Sequence, residues 1–262
     1  MRDIVYPVVV AAARTWFKLG DVRIEMTGTE HIPLEGGAVV AVNHLSFVDY
    51  VMAGYPAVKR GRLTRFMAKK EVFDHPVGGP VMRSFHHIAI DRADGQAGLD
   101  AARRYLDDGE VVGIFPEGTI SRSFELQPLK TGAVRIAADA GVPLIPIVLW
   151  GTQRFLTKGK PRDFGRHKTV SIEVGEPMHP TPDDNANVLT KELQARMESM
   201  LDRLITSYPA DEQPPGSWWL PASRGGSAPT PDEAAAMYAE ERRLRAQRKA
   251  QKRAQKRDRK RG

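Results

Sequence analysis

The stretch "AVVAVNHLSFVDY", residues 38–50, joins an apolar run to a polar turn and then to a helical pattern. A short continuous run of small and β-branched apolar residues is typical of a strand that is buried on both faces, as in a parallel sheet. Asn43 and His44 follow this run directly. Because ligands gather at the carboxyl ends of strands in open α/β sheets, we expect these two side chains to lie at a functional edge.

The same alternation of apolar runs and helical patterns continues along the chain. Strands are predicted over residues 22–26, 38–42, 87–90, 111–115, 144–150 and 169–174, and helices over 47–57, 96–107, 131–140 and 186–207. Buried strands that alternate with helices predict an α/β domain, residues 21–207, with a mostly parallel central sheet flanked by helices.

Residues 1–20 are predicted to form an amphipathic N-terminal helix. Its apolar run is shorter than the ~18 to 20 residues that a membrane-spanning helix needs. Trp16 and Phe17 lie beside Arg14 and Lys18, a combination typical of a helix in a membrane interface. A helix that packs on the main domain explains the same residues, and the sequence leaves both alternatives open.

The composition changes after residue 207. Residues 208–232 are rich in Pro, Gly and Ser and predict a linker, and residues 233–262 predict a basic tail, helical or disordered and flexible, without an apolar face. From residue 242 onward the tail has 12 Lys or Arg and one acid, whereas the other 241 residues have 27 basic and 31 acidic groups. The net charge of +7 therefore belongs to the tail.

Two classes of function are disfavoured by composition and motifs. A nucleic-acid-binding protein is the less favoured explanation of the basic tail, because the tail lacks interleaved aromatic residues and the rest of the chain is acidic.

The chain has no cysteine, which excludes a thiolate nucleophile. A hydrolase that uses Ser46 or Ser121 is disfavoured because no G-x-S-x-G motif is present.

His44 and Asp49 permit two interpretations. Ser46 and Asp49 match the capping-box pattern at the start of a helix. Alternatively, Asp49 accepts the Nδ1 proton of His44, which fixes the tautomer and leaves Nε2 as a base. The spacing alone does not separate them.

Further polar residues follow other strands. In "VVGIFPEGTISRS", residues 111–123, Pro116 and Gly118 predict a tight turn, and its hydroxyls, backbone N–H groups and Arg122 favour an anion. Lys130 precedes a predicted helix start, where the helix N-terminus favours the same anion. Asp91 and Arg92 follow the strand at 87–90.

The order and spacing of these stretches resemble the glycerophospholipid acyltransferase superfamily, and most closely the bacterial 1-acylglycerol-3-phosphate acyltransferases. The matching motifs are "NHLSFVD" at 43–49, "FMAKKEVF" at 66–73, "IAIDR" at 88–92, "FPEGT" at 115–119 and "VPLIPI" at 142–147. The resemblance covers about residues 20–205 and implies the fold of the glycerol-3-phosphate acyltransferases.

The resemblance also implies roles for individual residues. His44 is expected to be the general base and Asp49 the residue that orients it. The residues expected to bind the acceptor are Arg92, Glu117, Gly118, Thr119, Arg122, Lys130 and Lys69. Many members have Arg after Glu-Gly-Thr, where this chain has Ile120, so Arg122 is the expected replacement.

The implied reaction moves a fatty acyl group from acyl-CoA or acyl-carrier protein to 1-acylglycerol 3-phosphate, with no metal or organic cofactor. Glycerol 3-phosphate or another lysolipid is the alternative acceptor. The expected location is the cytoplasmic face of the cell membrane, as a peripheral or monotopic protein, where the basic tail meets an anionic surface.

Overall fold

The structure is a computed structural model that describes residues 5–76, 78–91 and 95–258. Its centre is a seven-stranded sheet with the order β1-β7-β6-β2-β5-β3-β4. The strands are β1 Val22–Thr27, β2 Ala38–Val42, β3 Thr64–Lys69, β4 Ile88–Ile90, β5 Val111–Ile114, β6 Leu144–Trp150 and β7 Lys168–Val174. Neighbouring strands are parallel except for β6 with β7. The predicted mostly parallel α/β fold is confirmed.

Helices flank this sheet, and a further helix comes later in the chain. They are α1 Val5–Leu19, α2 Asp49–Lys59, α3 Lys70–Phe73, α4 Gly78–Ser84, α5 Gly95–Asp107, α6 Gly132–Ala140, α7 Ala186–Ser207 and α8 Pro231–Asp258. The core lies along the sheet, where every residue of β2 and of β6 is buried. Both strands read as continuous apolar runs because both of their faces are covered.

The strand β3 was not predicted from the sequence. It begins with polar residues, and Arg65 is buried within it. The guanidinium of Arg65 is neutralised by Glu110, at 3.1 Å, and donates to the Phe85 carbonyl at 3.1 Å. Since both partners come from distant parts of the chain, the local pattern gave no sign that this charge could be buried.

The helix α1 packs against the main domain and also exposes apolar side chains. Phe17 is part of the hydrophobic core, and the Trp16 ring lies 5.2 Å from the ring of Phe155. On the other side, Val8 and Leu19 are 65% and 69% exposed. Within the described part of the chain, no helix has the length and apolarity needed to cross a membrane.

The chain forms two compact units. The first contains residues up to Ile120 and Leu126–Gln213, and the second contains Ser121–Glu125 and the chain from Pro214 onward. Within the second unit, Trp218 packs edge-on to Phe124 at 6.1 Å, and Trp219 is buried. The region predicted as a linker therefore contains ordered aromatic packing, and α8 follows it.

Candidate active site

The turns after β2 and β5 lie side by side at the carboxyl edge of the sheet. Ala41 of β2 is paired with Ile114 of β5, so the two parallel strands end together. Asn43 fixes the first turn to the other neighbour, β6. Its side-chain amide accepts the Leu149 N–H at 2.7 Å and donates to the Leu149 carbonyl at 3.0 Å.

The first turn brings His44 and Asp49 together. The His44 Nδ1 atom lies 2.9 Å from Asp49 Oδ2, and both side chains are buried. The same oxygen accepts the backbone N–H groups of Leu45 and Ser46, each at 2.7 Å. With the carboxylate as acceptor, Nδ1 carries the proton and Nε2 of the neutral ring is left as a base.

Ser46 is not the N-cap of α2, so this part of the capping-box prediction was wrong. The helix α2 begins at Asp49, and the preceding Val48 makes no side-chain capping bond. Ser46 Oγ accepts the Val48 N–H at 3.2 Å and donates to the Leu156 carbonyl at 2.6 Å. The helix starts later than predicted because Asp49 Oδ2 holds the backbone of Leu45 and Ser46 in a turn, and Asp49 thus serves both the backbone and His44.

Aromatic rings enclose the imidazole of His44. The Phe115 ring is stacked on it at a centroid distance of 4.1 Å and an angle of 25°, and the Tyr50 ring meets it edge-on at 5.9 Å. These contacts restrict rotation of the imidazole and exclude water from two of its sides.

The second turn contains a carboxylate that points inward. The turn closes through a hydrogen bond from the Gly118 N–H to the Phe115 carbonyl, at 3.0 Å, with Gly118 at φ 75°. Glu117, 6% exposed, accepts the His44 N–H through Oε1 at 2.6 Å. Its Oε2 accepts the backbone and side-chain N–H groups of Gln127 at 3.0 and 3.2 Å. Glu117 therefore holds the backbone of the first turn.

Burial raises the pKa of Glu117 to about 8, while the N–H donors of Gln127 and His44 act in the opposite direction.

His87, directly before β4, also has a shifted pKa. It accepts the Phe66 N–H through Nδ1 at 3.0 Å. Burial lowers the pKa of His87 to about 4, and Arg65 acts in the same direction. His87 is thus held neutral, in keeping with a structural role.

The two predicted acceptor-binding lysines lie near the same edge of the sheet. The Lys130 N–H donates to the Pro116 carbonyl at 3.1 Å, which ties Lys130 to the second turn, and its side chain is exposed. Lys69 ends β3, where it pairs with Ile90 at the end of β4.

The two predicted arginines have different outcomes. Arg92 lies outside the described residues. Arg122 belongs to the second unit, where its guanidinium lies 3.7 Å from Glu241 and its backbone N–H donates to Tyr238 Oη at 2.7 Å. Its part in acceptor binding stays a prediction.

Sequence reasoning missed the roles of Asn43, Gln127 and Lys158. Lys158 Nζ donates to Thr119 Oγ1 at 2.6 Å, from a loop that no motif marked. Of these three roles, only that of Asn43 had a signal in the sequence, namely its position beside His44. The serines of the hydrolase alternative donate to backbone carbonyls, Ser46 to Leu156 and Ser121 to Glu125, and this pairing disfavours both as nucleophiles.

Known proteins resemble this chain in sequence and in fold. The model of the Acyltransferase family matches residues 23–150. A 1-acyl-sn-glycerol-3-phosphate acyltransferase of Bacillus subtilis is 32% identical over 186 residues, which cover 70% of this chain and 86% of the relative. A chloroplastic enzyme of the same name from Arabidopsis thaliana is 29% identical over 69% of this chain and 49% of its own length.

A solved structure shares the fold. The crystal structure of the 1-acyl-sn-glycerophosphate acyltransferase of Thermotoga maritima superimposes with a TM-score of 0.61 at 24% identity, over 74% of this chain and 77% of that one. The α/β fold is therefore shared with a known acyltransferase. The chain belongs to the glycerophospholipid acyltransferase family, and is an O-acyltransferase akin to the 1-acylglycerol-3-phosphate enzymes.

Proposed function

We propose that this protein transfers a fatty acyl group from acyl-CoA or acyl-carrier protein to the free hydroxyl of 1-acylglycerol 3-phosphate, which yields phosphatidic acid. The observation that supports this most directly is the buried pair formed by His44 Nδ1 and Asp49 Oδ2 at 2.9 Å. Its position at the carboxyl edge of a parallel sheet suits a substrate site. The relative from Bacillus subtilis is named for this reaction.

In the proposed mechanism, His44 Nε2 removes the proton of the acceptor hydroxyl while the hydroxyl oxygen attacks the thioester carbonyl. Asp49 stabilises the imidazolium that forms and keeps its orientation. The tetrahedral oxyanion then collapses, the carbon–sulfur bond breaks, and His44 returns the proton to the departing thiolate. Acyl transfer is thus complete without a protein nucleophile.

The second turn and the lysines are proposed to hold the phosphate of the acceptor. Gly118 gives the turn its shape through its positive φ, Thr119 offers its hydroxyl, and Lys69 and Lys130 offer charge. Arg92 and Arg122 are further proposed contacts. Binding energy from the phosphate, which does not react, fixes the hydroxyl near His44 and lowers the entropic cost of the reaction.

We further propose that the protein works at the cytoplasmic face of the cell membrane, because its acceptor and product are lipids. Val8, Ala12 and Leu19 form an exposed stripe along α1. The basic tail adds attraction to anionic lipids, at about 1 kcal/mol per Lys or Arg near the surface. Removal of residues 246–262 should weaken sedimentation with anionic vesicles at low salt and change little at high salt. Equal sedimentation at low salt would exclude this role of the tail.

The experiment that tests the activity offers the purified protein each donor, acyl-CoA or acyl-carrier protein, with one acceptor at a time. The acceptors are 1-acylglycerol 3-phosphate, glycerol 3-phosphate and other lysolipids, and products are identified by mass spectrometry. Phosphatidic acid is the expected product, and a His44→Ala protein is the control for copurified enzymes. Product from another acceptor alone would assign that alternative instead.

A further inference from the structure

We infer that Lys158 supplies positive charge to the acceptor phosphate at the second turn, where this chain has Ile120 after Glu-Gly-Thr instead of the arginine of many family members. This inference rests on the proposed function, because it concerns the acceptor of that reaction. Ile120 is the residue that follows Glu-Gly-Thr in this chain. The Ile120 side chain is apolar and 2% exposed, so it offers no charge to a ligand.

The position of Lys158 is fixed by contacts from both turns. Its ammonium donates to Thr119 Oγ1 at 2.6 Å. The adjacent Thr157 donates through Oγ1 to the Leu45 carbonyl at 2.7 Å, in the turn that contains His44. The loop before β7 is therefore hydrogen-bonded to the first turn through Thr157 and to the second turn through the ammonium of Lys158.

A second contact strengthens this attachment. The Leu156 carbonyl accepts the Phe47 N–H at 2.9 Å and the Ser46 hydroxyl at 2.6 Å. Residues 156–158 therefore follow the first turn closely. The segment from which the Lys158 side chain starts is therefore hydrogen-bonded to the first turn.

The chemistry of an ammonium suits a phosphate at this point. Lysine has three donors and a compact charge, and this charge lies directly beside the Thr119 hydroxyl. A phosphate oxygen in contact with the Thr119 hydroxyl would lie within hydrogen-bonding range of Lys158. The charge can therefore contribute to acceptor affinity although Lys158 comes from a different segment of the chain than the motif.

The test compares steady-state kinetics of Lys158→Ala, Lys158→Gln and Lys158→Arg, with KM measured separately for 1-acylglycerol 3-phosphate and for acyl-CoA. We expect Lys158→Ala to raise the KM of the acceptor about 10- to 100-fold, the range for loss of a charged hydrogen bond, with kcat and the KM of acyl-CoA within about threefold of the wild type. Lys158→Arg should restore most of the acceptor affinity because it keeps the charge.

Lys158→Gln separates binding from a structural role, since glutamine keeps an N–H donor for Thr119 but has no charge. It should behave as Lys158→Ala does. The matched control is Lys59→Ala, which removes an exposed lysine at the far end of α2, about 15 Å of helix away from Asp49. Full rescue by glutamine, an unchanged acceptor KM in Lys158→Ala, or an effect on acyl-CoA alone would overturn the inference.

A binding measurement distinguishes failure of this inference from failure of the proposed function. Calorimetry with glycerol 3-phosphate should show about tenfold weaker binding to Lys158→Ala than to the wild type, whether or not any acceptor is turned over. If the wild type is active and the variant binds and reacts as well, the inference fails alone. If no acceptor reacts but the binding difference remains, the proposed function fails while the anion site stands.

Discussion

The turn after β2 and the turn after β5 each contain one buried carboxylate, and the partners of the two carboxylates differ. Asp49 accepts from the side chain of His44 as well as from two backbone N–H groups. Glu117 accepts from the backbone of His44 and from Gln127. The first carboxylate is thus in contact with a group that can take a proton, whereas the second fixes where that group sits.

This difference shows that Glu117, although it belongs to a motif associated with acceptor binding, serves to position the backbone. Resemblance to the family associates Glu117 with the acceptor, yet a carboxylate that faces three N–H donors in the interior is poorly placed to meet a phosphate. We therefore assign Glu117 a positioning role, and leave acceptor binding to the cationic and backbone groups around Thr119.

The largest effect is expected for His44→Ala. Without the imidazole no group is in place to take the hydroxyl proton, and we expect kcat to fall by about 10⁴-fold, the upper end of what general-base catalysis contributes. The free energy of unfolding should change little in urea titrations. The exposed His179 provides the control variant His179→Ala, which should keep full activity. An active, folded His44→Ala protein would contradict the mechanism.

Asp49→Asn should have the next largest effect. The amide oxygen can still accept the N–H groups of Leu45 and Ser46, but the charge that orients the imidazole is lost. We expect kcat to fall about 10²- to 10³-fold while the free energy of unfolding falls by about 1 kcal/mol or less. Paired measurements of turnover and urea unfolding check this. Retained turnover with reduced stability would mean that Asp49 serves the backbone alone.

Glu117→Gln should reverse that balance between stability and chemistry. Above pH 8, where Glu117 is ionised, its two oxygens accept all three N–H groups, whereas an amide NH2 in their place would face a donor from His44 or Gln127. A hydrogen bond is then lost in the interior at a cost of about 1–3 kcal/mol. A displaced first turn should lower kcat by about 10- to 100-fold, with little change in the KM of either substrate. An increase in the acceptor KM alone, at unchanged stability, would show that Glu117 binds the acceptor and would break the comparison.

Much of the architecture could be predicted because the buried strands read as continuous apolar runs, and the pairing of His44 with Asp49 was one of two readings of their spacing. What could not be predicted depends on distant partners. The strand at Arg65 is stable because Glu110 lies beside it, and Lys158 meets Thr119 across 39 positions. The inward direction of Glu117 also depends on Gln127, which belongs to no motif.

The smallest effect is a pH dependence of stability that comes from the second turn. The pKa of Glu117 is raised to about 8 from its ordinary 4.5, so between these values the folded state binds more protons than the unfolded state. The free energy of unfolding therefore falls as pH rises through this window, by at most about 1.4 kcal/mol per pH unit. His87 acts with the opposite sign, because its pKa is lowered from 6.5 to about 4 and its contribution is lost as pH falls through that range.

Below pH 6.5 both Glu117 and His87 change the free energy of unfolding with pH, whereas above pH 6.5 Glu117 dominates the change. Urea unfolding at pH 6.5 and pH 8 therefore reports on Glu117, since His87 is neutral in both states over most of that interval. The wild type should lose stability between these two pH values, and Glu117→Gln, which does not titrate, should lose less. Glu176→Gln removes an exposed carboxylate and should follow the wild type. If Glu117→Gln and the wild type lose the same stability, Glu117 is already ionised throughout, and its three N–H donors outweigh its burial.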